Sequence, residues 1–210
     1  FYRFHQGEKT LPFAASEYEN RLSQLRADMR ITGVDACVFT SMHNVAYYSG
    51  FLYCAFGRPY GLVVTQSDTV TLSAGIDAAQ PWRRSHGDAI TYTDWQRENY
   101  WRAVRSVTGT GQVIGYEGDH LTLGQKGLLD AYLAPKACID VAPITMRQRM
   151  HKSSAEITLI RAGAQVADVG GYAVKEAVRA GTREIDVAMA GRGAMELEIA
   201  KRFPDAEYRD

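Results

Sequence analysis

One short segment of the chain places a single cation among aromatic side chains. Residues 51–60 read Phe-Leu-Tyr-Cys-Ala-Phe-Gly-Arg-Pro-Tyr, and Arg58 is their only charged residue. Gly57 leaves the backbone free before Arg58, and Pro59 restricts Arg58 to an extended conformation. A guanidinium beside aromatic faces can bind a small ligand that carries a carboxylate and a flat or cationic group. The alternative is a hydrophobic turn whose one arginine points into solvent.

The remaining residues do not supply a catalytic set. The histidines are not spaced as metal ligands with another histidine, a cysteine or a carboxylate. The chain has no Gly-x-Ser-x-Gly elbow, and no pair of carboxylates stands out from a solvated face. We therefore predict a binding segment, with no catalytic residue and no metal ligand inside this chain.

Three further residues have open roles. His43 follows a predicted strand end, where functional side chains often lie, but a turn whose side chains bond to the backbone is the favoured interpretation. Cys54 lies in the aromatic segment and is interpreted as packing rather than as a ligand contact. Trp82 precedes two arginines and could form a cation–π patch or a carboxylate clamp, although a surface or subunit contact is favoured.

Composition excludes several classes of function. The chain has 210 residues with 24 Lys plus Arg and 24 Asp plus Glu, so its formal net charge is zero. Such a chain is not expected to bind nucleic acid or an anionic membrane. It contains no apolar run that could span a bilayer, and its first ten residues contain no apolar signal core. Cys37, Cys54 and Cys138 are widely separated, which indicates reduced thiols and a cytoplasmic location.

Alternating strand and helix patterns predict an α/β fold. Short apolar runs predict strands at 36–40, 61–65, 70–74, 113–117 and 137–141, with a hairpin between the second and the third. Helices are predicted to begin at the capping boxes of Ser16 and Thr93, and a further helix is predicted to begin at Thr122. Together these elements predict a mixed-sheet domain over residues 1–150.

The pattern changes after residue 142. The basic stretch 143–152 is interpreted as a connector, and Ser153-x-x-Glu156 is a further capping box. A long helix follows, and its glycines, among them Gly163, Gly170 and Gly171, weaken it unless another backbone packs closely there. Residues 151–210 are therefore predicted to open a second domain whose sheet lies beyond the chain. Because the chain begins with Phe rather than Met, we expect it to be part of a longer protein.

Several segments resemble those of the creatinases, which belong to the creatinase/aminopeptidase P superfamily with its pita-bread catalytic fold. The resemblance runs from about residue 16 to the end. The Arg-x-x-Lys-Ser-x-x-Glu-Ile-x-x-Ile-Arg pattern at 149–161 is shared by the whole superfamily. Phe-Gly-Arg-Pro-Tyr at 56–60 and Tyr-Thr-Asp-Trp-Gln-Arg at 92–97 are similar to segments typical of creatinases.

The resemblance implies an activity and two substrate contacts. Creatinases hydrolyse creatine to sarcosine and urea without a metal or another cofactor. Their catalytic histidine and substrate-holding glutamates belong to the second domain, beyond residue 210, so they are not assigned to this chain. The Phe-Gly-Arg motif places two substrate contacts on Phe56 and Arg58. In the family this loop reaches into the active site of a partner subunit, so the resemblance also implies a homodimer.

Two other functions remain open. A metal-dependent Xaa-Pro aminopeptidase of the same superfamily would need Asp, Asp, His, Glu and Glu ligands in its second domain. A non-enzymatic interaction module could keep this N-terminal fold without chemistry. The sequence beyond residue 210 distinguishes the three.

Overall fold

The computed structural model describes residues 1–52, 57–77, 80–93, 95–96 and 98–206. The chain divides into two compact units, Phe1–His151 and Lys152–Asp210.

The described part of the first unit is built on a six-stranded mixed sheet with strand order β4-β3-β2-β1-β5-β6. The strands are β1 (Ala36–Phe39), β2 (Gly61–Thr65), β3 (Thr69–Ala74), β4 (Asp88–Tyr92), β5 (Val113–Tyr116) and β6 (Ala137–Asp140). The pairs β1–β2 and β2–β3 are antiparallel, whereas β1–β5, β5–β6 and β3–β4 are parallel. The predicted hairpin is therefore confirmed as β2–β3.

Helices lie against both faces of this sheet. They are α1 (Ala15–Thr32), α2 (Met42–Ser49), α3 (Gln80–Arg84), α4 (Asn99–Thr108), α5 (Leu123–Leu133) and α6 (Ala142–Met150). Side chains alternate between the faces of a strand, so Val38 joins the buried cluster under α4 and α5, whereas Cys37 joins the cluster under α1 and α2. The fully buried Trp101 packs in the first cluster and Tyr48 in the second. The predicted α/β class with a mixed sheet is confirmed.

Two predicted capping boxes are wrong. Helix α1 begins at Ala15 with Ala14 as its N-cap, so Ser16 already lies inside the first turn. Helix α4 begins only at Asn99. The side-chain nitrogen of Asn99 instead donates to the carbonyl oxygen and the hydroxyl of Thr93, at 2.8 and 3.1 Å.

The interpretations of 143–152 as a connector and of His43 in a turn are also wrong. Most of the basic stretch forms α6, which starts with Pro143 in its first turn, where a missing backbone N–H costs nothing.

His43 lies in α2, whose N-cap Ser41 accepts from the backbone N–H of Asn44 at 3.2 Å. A short Ser-initiated helix thus takes the place of the predicted turn.

The second unit contains two helices in its described part, α7 (Ser154–Ala177) and α8 (Glu184–Arg202), which pack against each other. The capping box at Ser153 and Glu156 is confirmed. The Ser153 hydroxyl accepts from the backbone N–H of Glu156 at 3.1 Å, and Glu156 Oε2 accepts from the backbone N–H of Ser153 at 2.9 Å. A Cβ on Gly170 would lie 2.5 Å from Met195 Cγ, so α8 approaches α7 closely at that point. The predicted close packing is thus confirmed at Gly170 of α7.

Candidate functional site

The backbone at Gly57 has the conformational freedom that the sequence predicts for the segment that carries Arg58. Gly57 has φ +80°, in the left-handed region that favours glycine. The hydroxyl of Tyr92, at the end of β4, donates to the carbonyl oxygen of Pro59 at 2.5 Å and ties the segment to the sheet. Phe56, the other predicted substrate contact, and Cys54 lie outside the described residues.

Arg58 lies at a pocket with a volume of about 240 Å³. The pocket is formed where β1 and β5 end and where β2, α4 and α5 begin. The residues that line it are Thr40, Gly57, Arg58, Pro59, Tyr60, Tyr100, His120, Leu121, Thr122 and Gln125. Crevices outside the carboxyl ends of parallel strands are the usual ligand sites of α/β sheets. We therefore take this pocket as the candidate site.

Tyr100 closes the inner side of the pocket. The residue is 1% exposed, and its hydroxyl has no hydrogen-bond partner in the part of the chain that the structure describes. A Cβ on Gly61 would lie only 2.3 Å from that hydroxyl, so the absence of a side chain at the start of β2 makes room for it. Burial, followed by the neighbouring Tyr92, Glu117 and Tyr60, raises the pKa of Tyr100. The hydroxyl therefore keeps its proton and can donate.

Glu117 follows β5 directly and lies beneath the pocket wall, 1% exposed. Its Oε2 accepts from the backbone N–H groups of Thr40 and Ser41 at 2.6 and 2.9 Å. Its Oε1 accepts from the Ser41 hydroxyl and from Asn44 Nδ2, the latter at 2.7 Å. Asn44 Nδ2 also donates to Thr145 Oγ1 in α6, at 3.2 Å. The carboxylate thus joins the end of β5 to the start of α2 and to α6, a structural role that agrees with its burial.

His120 is linked to Glu117 through Thr40. The Thr40 hydroxyl donates to Glu117 Oε2 at 3.3 Å and lies 3.0 Å from His120 Nδ1. The Thr40 hydroxyl therefore links the imidazole of His120 to the buried carboxylate of Glu117.

The other residues with open roles do not join this pocket. His43 is exposed on α2. Trp82 stacks on His5 at 4.0 Å between ring centroids, and the Lys9 ammonium lies 3.9 Å from its ring. A cation–π contact of Trp82 is therefore present, and Lys9 of the N-terminal segment supplies its cation.

The described residues contain neither a cluster of metal-ligand side chains nor a membrane-spanning helix. No group of three or more His, Cys, Asp or Glu side chains there could hold a metal ion. No helix in the same part of the chain is long and apolar enough to cross a membrane.

The sequence alone did not identify three residues at or beneath this pocket, namely Tyr100, His120 and Glu117. The position of Glu117 and His120 just after a buried strand was the available indication, because side chains at strand ends converge on one edge of the sheet. No local sequence pattern distinguishes Tyr100 from the other aromatic residues on the apolar face of its amphipathic helix.

A model of the Creatinase/Prolidase N-terminal domain matches residues 21–151, more than half of the chain. The chain therefore belongs to the Creatinase/Prolidase N-terminal domain family. A creatinase from Bacillus sp. (strain B-0618) is 47% identical over 209 residues, covering 97% of this chain and 51% of the relative. The chain thus spans about half the length of that relative, and the resemblance to creatinases is confirmed.

Solved structures share the fold at lower identity. Prolidase from Pyrococcus horikoshii OT3 matches with a TM-score of 0.72 and 20% identity, over 85% of this chain and 48% of the other. Dipeptidase PepE from Mycobacterium ulcerans matches with a TM-score of 0.67 and 20% identity, over 91% of this chain and 51% of the other. At these identities the likeness establishes the fold alone.

Proposed function

We propose that this chain is the N-terminal half of a creatinase that hydrolyses creatine to sarcosine and urea. The observation that carries the proposal is the 47% identity to a creatinase across 97% of the chain. The position of Arg58 at a pocket supports it, because a guanidinium there suits the carboxylate of creatine. Phe56 would cover an apolar or cationic face of the same substrate.

The proposed chemistry adds one water across one C–N bond. Water attacks the guanidino carbon of creatine, the bond from that carbon to the methylated nitrogen breaks, and a proton moves to that nitrogen. A histidine in the second half of the protein serves as the general acid/base, and no metal or other cofactor takes part. Arg58 contributes by binding and orienting the carboxylate.

The proposed function also includes the oligomeric state of the longer protein. We infer a homodimer in which the loop with Phe56 and Arg58 reaches into the active site of the partner subunit.

The mixed-sheet domain would end near residue 150, and 151–210 would begin the pita-bread catalytic domain. Large apolar side chains on the two helices of the second unit, such as Tyr172 of α7 and Leu197 of α8 at 68% and 75% exposed, support a further layer against them. Cys37 and Cys138 are free thiols, in keeping with the proposed cytoplasmic location.

The competing peptidase function is tested by comparing two substrates on the longer protein. We expect urea release from creatine that persists after treatment with a chelator, and no cleavage of an Xaa-Pro dipeptide. Dipeptide cleavage that a chelator abolishes and a divalent cation restores would favour the metallopeptidase. A protein that turns over neither substrate would favour the non-enzymatic module.

A further inference from the structure

A second pocket of the first unit lies at the other end of β2 from Arg58. Its volume is about 350 Å³, within the range of small-molecule sites. Helix α1 forms one side of it, the turn between β2 and β3 forms another, and the segment just before β4 forms a third. The polar residues of its lining include Glu19, Ser23, Arg26, Arg30 and Thr69. The proposed function uses none of them.

Two arginines of α1 are the main charged groups of this pocket. Arg26 and Arg30 are four residues apart, so their side chains lie on the same face of the helix, where two cations repel each other. Neither guanidinium lies within ion-pair distance of a carboxylate of the described residues. The pocket therefore contains two positive charges that this part of the chain does not pair.

Hydrogen bonds to the turn between β2 and β3 hold the first guanidinium in place. Arg26 Nε donates to the carbonyl oxygen of Thr65 at 2.9 Å. Its Nη2 donates to the carbonyl oxygen of Asp68 at 3.1 Å and to Thr69 Oγ1 at 3.0 Å, whereas Nη1 has no hydrogen-bond partner among the described residues. Burial lowers the pKa of Arg26, and the Asp68 carboxylate offsets this only in part. Because half-buried cations are normally paired, the remaining N–H groups indicate a missing anion.

The second guanidinium is held by the same turn. Arg30 is exposed in the last turn of α1, and its Nη1 donates to Gln66 Oε1 at 3.0 Å. Its Nε and Nη2 have no hydrogen-bond partner in the described part of the chain. A cation in the last turn of a helix also complements the helix dipole, so a purely structural role is the alternative.

The acidic residue of the lining lies away from the two arginines along α1. Glu19 precedes Arg26 by seven residues, which is about 10 Å along the axis at a rise of 1.5 Å per residue. The exposed Ser23 lies between them on the same face, and its hydroxyl has no hydrogen-bond partner among the described residues. The pocket therefore has an arginine end that is favourable for an anion.

We propose that the arginine end of this pocket binds a phosphate group, which accepts from Arg26 Nη1 and from Nε and Nη2 of Arg30. A phosphate monoester carries a charge of about −1.5 to −2 near neutral pH and three acceptor oxygens, so it offsets two cations, whereas a carboxylate offsets one. The volume of about 350 Å³ leaves room beside the phosphate, which favours a small phosphate ester over the free ion.

The test measures binding of inorganic phosphate and of glycerol 2-phosphate to the purified longer protein by ³¹P NMR line broadening at constant ionic strength. We expect both to bind, with the ester more tightly bound, and we expect acetate at equal concentration to displace neither. Equal affinities for the two phosphates would support the same site with the free ion as its ligand.

Charge variants locate the binding. Arg30→Gln should weaken phosphate binding roughly three- to tenfold, the range for one charge-assisted hydrogen bond at an exposed position. Arg26→Lys should also weaken it, because an ammonium lacks the planar fork of a guanidinium. Glu19→Gln should leave binding equal or tighter, since it removes the carboxylate of the lining. Arg105→Gln makes the same change at an exposed arginine of α4 outside the pocket and should have no effect.

A further variant separates binding from the structural alternative. Gln66→Ala removes the partner of Arg30 in the turn but keeps both positive charges. A purely structural role predicts that Gln66→Ala and Arg30→Gln lower the melting temperature alike while phosphate binding stays unchanged. The proposal predicts instead that phosphate raises the melting temperature of the wild type and of Gln66→Ala more than that of Arg30→Gln.

The inference is overturned if neither phosphate binds, if acetate displaces them, if Glu19→Gln weakens binding, or if Arg30→Gln and Arg26→Lys both bind phosphate like the wild type. None of these outcomes bears on urea release from creatine, so the failure of this inference is distinct from the failure of the proposed function.

Discussion

At the scale of single residues, Arg58 carries the proposed substrate recognition. Arg58→Ala should raise the KM for creatine of the longer protein roughly ten- to a hundredfold, because a hydrogen bond to a charged group contributes about 1.5–3 kcal/mol. Arg58→Lys should recover part of the loss, since an ammonium lacks the planar fork of a guanidinium. Steady-state kinetics and a melting curve for each variant provide the measurement.

The control for Arg58 is an arginine of similar exposure elsewhere in the first unit. Arg105 is exposed on α4 and does not line the pocket, so Arg105→Ala should leave KM unchanged. If Arg58→Ala also shows wild-type kinetics, the segment is a hydrophobic turn with a solvated arginine, as the alternative interpretation has it.

Glu117 should matter for stability. Glu117→Ala leaves the buried donors of Ser41 and Asn44 without their acceptor, and each such group costs roughly 1–3 kcal/mol in the free energy of unfolding. Glu117→Gln should cost less, because one oxygen remains and Asn44 Oδ1, which has no partner among the described residues, can rotate to accept. Unfolding in urea measures both variants.

Asp119, two residues further along the chain, is exposed and serves as the comparison for Glu117. Asp119→Ala should change the unfolding midpoint little. Equal midpoints for the variants at the two positions would show that the Glu117 network does not stabilise the fold.

At the scale of secondary-structure elements, the α7–α8 contact distinguishes two glycines that look alike in sequence. Gly170→Ala should destabilise the second unit, because the new Cβ would lie 2.5 Å from Met195 Cγ. At Gly163 a Cβ meets nothing within 4 Å among the described residues, so Gly163→Ala should stabilise the helix by about 0.5–1 kcal/mol through propensity alone. Thermal unfolding followed by circular dichroism compares the two, and a stabilising Gly170→Ala would contradict the close packing.

The elements that were predictable are those that local residues specify. Short apolar runs located β1, β2, β3, β5 and β6, and Ser153 with Glu156 located the start of α7. The missed elements depend on distant partners. Helix α6 is held through Thr145, which accepts from Asn44, and through Gln148, which accepts from the Tyr48 hydroxyl at 2.6 Å. Strand β4 pairs in parallel with β3, so its partner is specified by the sheet and not by an adjacent turn.

The candidate site was predictable only in part, for the same reason. Gly57, Arg58 and Pro59 are adjacent in the chain, so their joint shape can be inferred from local backbone restrictions. Tyr100 and His120 reach the same pocket from α4 and from the end of β5. Their meeting depends on the sheet order, which no local pattern encodes.

At the scale of the whole molecule, we propose that the first unit contributes the Arg58 contact with the substrate carboxylate and that the other half of the longer protein supplies the general acid/base. The 210-residue chain alone should therefore release no urea from creatine. Urea release by this chain would overturn the division of roles between the two halves.

Product analysis of creatine incubated with the purified longer protein tests the proposed activity most directly. We expect urea and sarcosine to appear in equal amounts and in step with the loss of creatine. Absence of both products from a folded protein, or loss of creatine without urea, would contradict the claim that this chain belongs to a creatinase.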